Sequence, residues 1–363
     1  MHSLFVSHPN ILILPPFSFY RSWDHIINDK KVEKIDVVNN WLNFIMRNET
    51  MQRANKKFFN QEEEKKIFQK YFKNISKNNK INKKNIFYNL HESYAYAKGL
   101  DLKNIKVIIC QEHVPWYTDS IFSDFPTASI LQIVRDPRAT LAGSWKINSK
   151  KYGYLSENDY LWSMLYWVHA WKYYKKYSKR IGQKYRVVKN EDLHADIKKN
   201  MVSICNWLNI EFDEIMIEDE LRGNSYKESA YLDKKGNYPQ SQNEFYLPEN
   251  VKKRWKNVLS IGDIYRIEFI TNEAIKRFNY GFYVIKGSFS KILGFLFYLF
   301  LRKDQVTSIM RNKDLERIKS NQNIRSIYKF LPSFLRLIIV YIYSFIRRFT
   351  FLFFKNKKRK VLS

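Results

Sequence analysis

Ser129-Ile130-Leu131-Gln132-Ile133-Val134-Arg135-Asp136-Pro137-Arg138 is the stretch on which the fold turns. Its first six residues form a short, mainly apolar run of the kind that fills a strand buried in a parallel sheet. Pro137 then suits the first turn of a helix, where its missing N–H costs nothing. A strand that hands over to a helix here brings two guanidinium groups and the first free backbone N–H groups towards one point, which makes an anion site. The plainer alternative is an Arg–Asp pair that only fixes the strand end. Asp136 stands beside both arginines, so a structural carboxylate can claim Arg138 and leave the two unequal.

Similar units lie on either side. Val107-Ile108-Ile109-Cys110 is an earlier apolar run, and residues 185–188 read as a later strand. Residues 35–80 lack Pro and Gly and read as helical, with Trp41, Leu42 and Ile45 near one face and a solvated charged run at 62–66. Ser156 opens a helix with Asp159 as its capping-box partner, and Met164, Leu165 and Val168 follow at helical spacing. Ile197, Met201, Ile204, Cys205 and Leu208 form the stripe of the next helix, and residues 264–278 another, with Gly281 near its end. Strand–helix alternation implies an α/β fold, a parallel sheet flanked by helices, with ligands beyond the carboxyl ends of the strands.

Composition narrows the classes. With 45% hydrophobic and 17% aromatic residues, the 363-residue chain packs rather than staying disordered. A formal charge of +28 gives a field that attracts phosphate, sulfate, nucleic acid or an anionic membrane. No helix-turn-helix, zinc or stacking motif supports nucleic acid. Cys110 and Cys205 are the only cysteines, which disfavours a disulfide scaffold or a metal cluster and suggests two reduced, buried thiols. Residues 1–14 lack the basic start of a signal peptide, so a cytoplasmic location is expected.

Ile133-Val134-Arg135-Asp136-Pro137-Arg138-Ala139-Thr140-Leu141-Ala142-Gly143-Ser144-Trp145 closely resembles the 3′-phosphate-binding segment of sulfotransferases that use 3′-phosphoadenosine 5′-phosphosulfate (PAPS). The resemblance implies that Arg135 and Ser144, one residue beyond the usual serine position, hold the nucleotide's 3′-phosphate, with Arg138 as a second cofactor-binding cation. Gln111-Glu112-His113-Val114-Pro115 resembles the family's Lys-Thr-His-Leu-Pro region, which implies that His113 takes the acceptor's proton. An imidazole suits that task because its ordinary pKa, roughly 6.5, lies near working pH; a loop histidine bonded to a carbonyl is the alternative. Glu112 either orients His113 or is itself the base, and Gln111 stands where the family has a lysine. Val187-Val188-Lys189-Asn190-Glu191-Asp192-Leu193 is similar to the family's strand and turn, with Glu191 or Asp192 capping a helix. Arg222-Gly223-Asn224-Ser225 is similar to a late loop over the nucleotide, which adds Arg222 and Gly223 as cofactor contacts, and Trp255 resembles a late Trp-bearing helix.

The start, His2-Ser3-Leu4-Phe5-Val6-Ser7-His8-Pro9-Asn10-Ile11, resembles the turn that follows the 5′-phosphosulfate loop in bacterial-type members. That loop and its strand belong just ahead of this point, so the expectation is a misassigned start or a weakly active relative.

These features imply a metal-free transferase that moves a sulfuryl group from PAPS to an acceptor hydroxyl on a carbohydrate or glycolipid; the alternative is a catalytically impaired nucleotide- or glycan-binding relative. The expected division is a sulfotransferase-like nucleotide-binding domain at 1–285 and a basic, hydrophobic, helical C-terminal extension at 286–363. That extension carries 18 basic and 3 acidic residues. Its apolar runs at 292–301 and 337–346 fall short of the roughly 20 residues a crossing helix needs. They fit a membrane-associated helix lying on the anionic inner face, or helices packed on the domain or in a dimer.

Overall fold

The computed structural model describes residues 2–15, 18–26, 34–47, 59, 61–78, 80–152, 157–217, 254–299, 342, 345, 346 and 348–350. The chain divides into two compact units, each assembled from two separated stretches: residues 1–129 with 195–245, and residues 130–194 with 246–363.

The first unit begins with α1 (His2–Val6) and β1 (Ile11–Ile13), joined by the His8-Pro9-Asn10 turn. His8 is buried; its Nδ1 accepts the Asn10 N–H at 3.1 Å, which leaves Nε2 to donate to the Glu211 carbonyl at 2.8 Å. The crossover that follows contains α2 (Phe19–Ile26), α3 (Lys34–Arg47), α4 (Glu62–Asn78) and α5 (Lys83–Ala97). Three glutamates in the first turn of α4 complement its dipole, and the Asn82 side chain caps α5 by accepting the Asn85 N–H. Trp41, Phe68, Phe72 and Leu90 are wholly buried, and Phe19 stacks on Trp41 at 5.1 Å. β2 (Val107–Ile109) then lies parallel to β1, with Ile11 opposite Val107, and leads through a turn to α6 (Thr118–Asp124).

In the second unit β3 (Ile130–Val134) leads directly into α7 (Pro137–Tyr152), α8 (Glu157–Ile181) brings the chain back, and β4 (Tyr185–Lys189) pairs with β3 in parallel. The short α9 (Asn190–Ala195) follows β4. Returning to the first unit, α10 (Ile197–Leu208) is capped by Asp196 and ends at Asn209, whose φ of 56° is the left-handed conformation that closes a helix. The second unit is completed by α11 (Ile261–Ile270), α12 (Asn272–Arg277) and α13 (Ser288–Leu299). Ser260 and Asp263 form a full capping box at the start of α11.

Two parts of the expected fold are corrected. The described strands make two separate two-stranded parallel pairs, β1 with β2 and β3 with β4, and not one sheet. The reading of the basic hydrophobic extension as a membrane-associated appendage is corrected too, for its described part, which packs on the second unit. α13, the described helix beyond residue 286, buries Tyr298 and Leu299 in the same core as Leu141, Trp145, Ile264 and Ile267. Wholly buried Arg348 donates from Nη1 to the Tyr298 carbonyl at 2.8 Å, while the Tyr298 hydroxyl donates to the Arg348 carbonyl at 3.1 Å. Tyr298 and Leu299 are thus spent inside the fold, while Phe289, Ile292 and Leu296 on the other side of α13 stay exposed. Among the described residues no helix is long and apolar enough to cross a membrane. Most of the run at 337–346 lies outside the described residues.

Candidate functional site

Sequence reasoning singled out two turns, one after β3 in the second unit and one after β2 in the first. In the first of these, Asp136 caps α7: its Oδ1 accepts the Arg138 backbone N–H at 2.8 Å, and its carbonyl accepts the Thr140 N–H at 2.9 Å. The Asp136 N–H itself donates to Glu191 Oε1 at 2.9 Å, and the other oxygen of Glu191 accepts the Tyr280 hydroxyl at 3.1 Å. Burial, and next the charge of Glu191, push the Tyr280 phenol well above its ordinary pKa, so it stays a donor.

The two arginines part company here. Arg138 is buried and fully engaged: Nε and Nη2 reach the Asp136 carboxylate, Nη1 reaches Glu268 Oε1 at 2.6 Å, and Nη2 also meets the Tyr280 carbonyl at 3.3 Å. Its guanidinium lies over the Trp255 ring at 4.6 Å. Glu268 is wholly buried and accepts three further N–H groups, from Tyr283, Val284 and Ile285. Arg135, by contrast, is half-buried, and its Nε is enclosed without a hydrogen-bond partner among the described residues. An enclosed cationic donor left open in this way can take a further acceptor oxygen. Ser144 lies further along α7 and is half-buried. Arg222 and Gly223 lie outside the described residues.

In the turn after β2, Glu112 is half-buried and His113 exposed. Glu112 Oε1 accepts the Tyr20 N–H at 2.8 Å, and the His113 N–H donates to Ser18 Oγ at 3.2 Å. Burial raises Glu112 to about 7, with the Tyr20 N–H opposing it most strongly. The chain around the open His113 ring desolvates it, and Arg21 adds like charge; both lower its pKa and favour the neutral imidazole that can accept a proton. Gln111 Oε1 is enclosed without a partner among the described residues. Among those residues, no three or more His, Cys, Asp or Glu stand where they could hold a metal ion.

Glu112 and His113 thus share one turn, as do Arg135 and Arg138, but within the second turn only Arg135 keeps an open donor. Sequence reasoning missed what holds each turn: Glu268 and Tyr280 around Arg138, and Ser18, Tyr20 and Arg21 around Glu112 and His113. Glu191 and Asp192, the two expected helix caps, both lie in the first turn of α9, and Glu191 also holds the Asp136 backbone.

No curated protein matches the chain. A solved structure, the sulfotransferase domain of the Synechococcus PCC 7002 olefin synthase, aligns over 77% of this chain and 89% of its own at 15% identity. Its TM-score of 0.42 is too low to bear on the site. A profile described as the sulfotransferase family matches residues 1–214, which take in both turns but not Glu268, Tyr280 or Trp255 around Arg138. With more than half of its length inside that profile, the chain belongs to the sulfotransferase family.

Proposed function

We propose that the chain binds the 3′-phosphate of PAPS through Arg135 and presents His113 to an acceptor hydroxyl, with a carbohydrate or glycolipid as the favoured acceptor class. The observation that carries this reading is the contrast at the end of β3, where Arg138 is saturated by carboxylates and Arg135 keeps an open donor. Bound PAPS would supply an activated sulfuryl group. His113 would take the hydroxyl proton as the oxygen forms its bond to sulfur, and the bond from sulfur to the nucleotide phosphate would break, its electron pair leaving with the phosphate.

A second reading, a nucleotide- or glycan-binding relative with impaired catalysis, has specific support. Gln111 is neutral where the family's lysine would offset transition-state charge, and Glu112 is committed to the backbone of Tyr20. On this ground binding is favoured over rapid turnover. A reducing compartment such as the cytoplasm suits the free cysteines, Cys110 half-buried and Cys205 buried.

Calorimetry and initial rates separate the readings. Arg135→Ala should weaken PAPS binding by roughly tenfold to a hundredfold, the worth of a charged hydrogen bond. Arg138→Ala should instead destabilise the fold by about 3–5 kcal/mol, because it strips a buried cation from two carboxylates. Unchanged donor affinity in the Arg135 variant would remove the central assignment. Tight binding with slow turnover would favour the impaired relative.

A further inference from the structure

The first turn of α2 is fastened to the turn after β2 by two bonds that span the crossover. Ser18 opens the helix, since the Ser22 N–H reaches its carbonyl at 2.9 Å. Its hydroxyl does not cap α2, however, but accepts from the His113 backbone, while the free N–H of Tyr20 is satisfied by Glu112. Arg21 is the next residue, third in the helix and exposed, and it forms no ion pair among the described residues. The third helical position favours a capping acid, because the N-terminal end of a helix carries partial positive charge. A guanidinium there works against the dipole, and the field of the partly buried Glu112 offsets that without an ion pair. Its charge is felt by both fastened residues, favouring the carboxylate form of Glu112 and disfavouring imidazolium at His113. The helix dipole therefore does not call for a cation at this place, and the turn that carries His113 is where its charge is felt.

We propose that Arg21 forms a sulfate-type oxyanion subsite beside His113, where it faces the sulfuryl oxygens and supplies the positive charge that neutral Gln111 does not. The inference rests on the reading of residues 111–113 as the turn that handles the sulfuryl group. Inorganic sulfate titrated into the full chain, at ionic strength held constant with chloride, can be followed by the ring resonances of His113. A saturable shift is expected in the unsubstituted protein. Arg21→Gln, which keeps hydrogen bonding but loses the charge, should weaken sulfate at least tenfold, and Arg21→Lys should stay within threefold. Equal sulfate affinity with and without the Arg21 charge, or no saturable shift at His113, overturns the subsite. A parallel titration with adenosine 3′,5′-bisphosphate, which lacks a sulfuryl group, reads the nucleotide assignment by itself. If only that binding is absent, the donor reading falls and the Arg21 subsite stands; normal nucleotide binding with no Arg21-dependent sulfate effect sinks the subsite alone.

Discussion

At Glu112 burial and capping pull in opposite directions, and burial wins: the carboxyl rises from an ordinary 4.5 to about 7. Between those values the folded chain holds a proton that the unfolded chain has released. Stability therefore falls as pH rises through that window, by about 3 kcal/mol in all, and levels off above it. Glu112→Gln keeps an acceptor for the Tyr20 N–H but cannot titrate, so its urea midpoint should change less between pH 5 and 7. Parallel pH dependence in the two proteins would show that Glu112 ionises freely in the fold. The strand-to-helix change around Arg135-Asp136-Pro137-Arg138 was legible from the sequence, because an apolar run, a proline and a capping aspartate act on immediate neighbours. The fate of Arg138 was not. Its second carboxylate, Glu268, is 130 residues away, and no local pattern announces a partner at that distance.

Among the elements, α11 and α13 come close together at Gly294. A Cβ at that position would lie 3.0 Å from Ile285 Cδ1 and Phe269 Cβ, and 3.2 Å from the Tyr265 carbonyl. Backbone atoms cannot step aside as a flexible side chain can, so Gly294→Ala should cost about 1–3 kcal/mol by overpacking, despite alanine's better helix propensity. Thermal unfolding would register the loss; an unchanged or raised midpoint would mean that the two helices have room to separate. Helix identity was readable at this scale and boundaries less so. The expected helix at 264–278 is divided at Thr271 into α11 and α12, the Thr271 hydroxyl bonding back to the Ile267 carbonyl at 2.7 Å. β1 is only three residues long, too short for any periodicity to show. In α13 hydropathy did not separate the residues that protein covers, Tyr298 and Leu299, from Phe289, Ile292 and Leu296, which stay exposed.

Across the whole molecule, neither unit is a continuous piece of chain. A protein made of residues 1–129 alone lacks α10 and leaves buried His8 without the Glu211 carbonyl. It should give broad, non-cooperative unfolding, whereas the full chain should unfold in steeper transitions; a sharp transition in the fragment would show that its first stretch is self-sufficient. The hydrogen bond between His8 and Glu211 also has a consequence in time. Translation delivers the imidazole near the beginning and its acceptor 203 residues later. At about 5–20 residues per second, the nascent N-terminal turn waits roughly 10–40 s for its partner. Throughout that interval the second ring nitrogen has only water to bond, so the long-range half of this turn's fastening is among the last contacts the first unit can make.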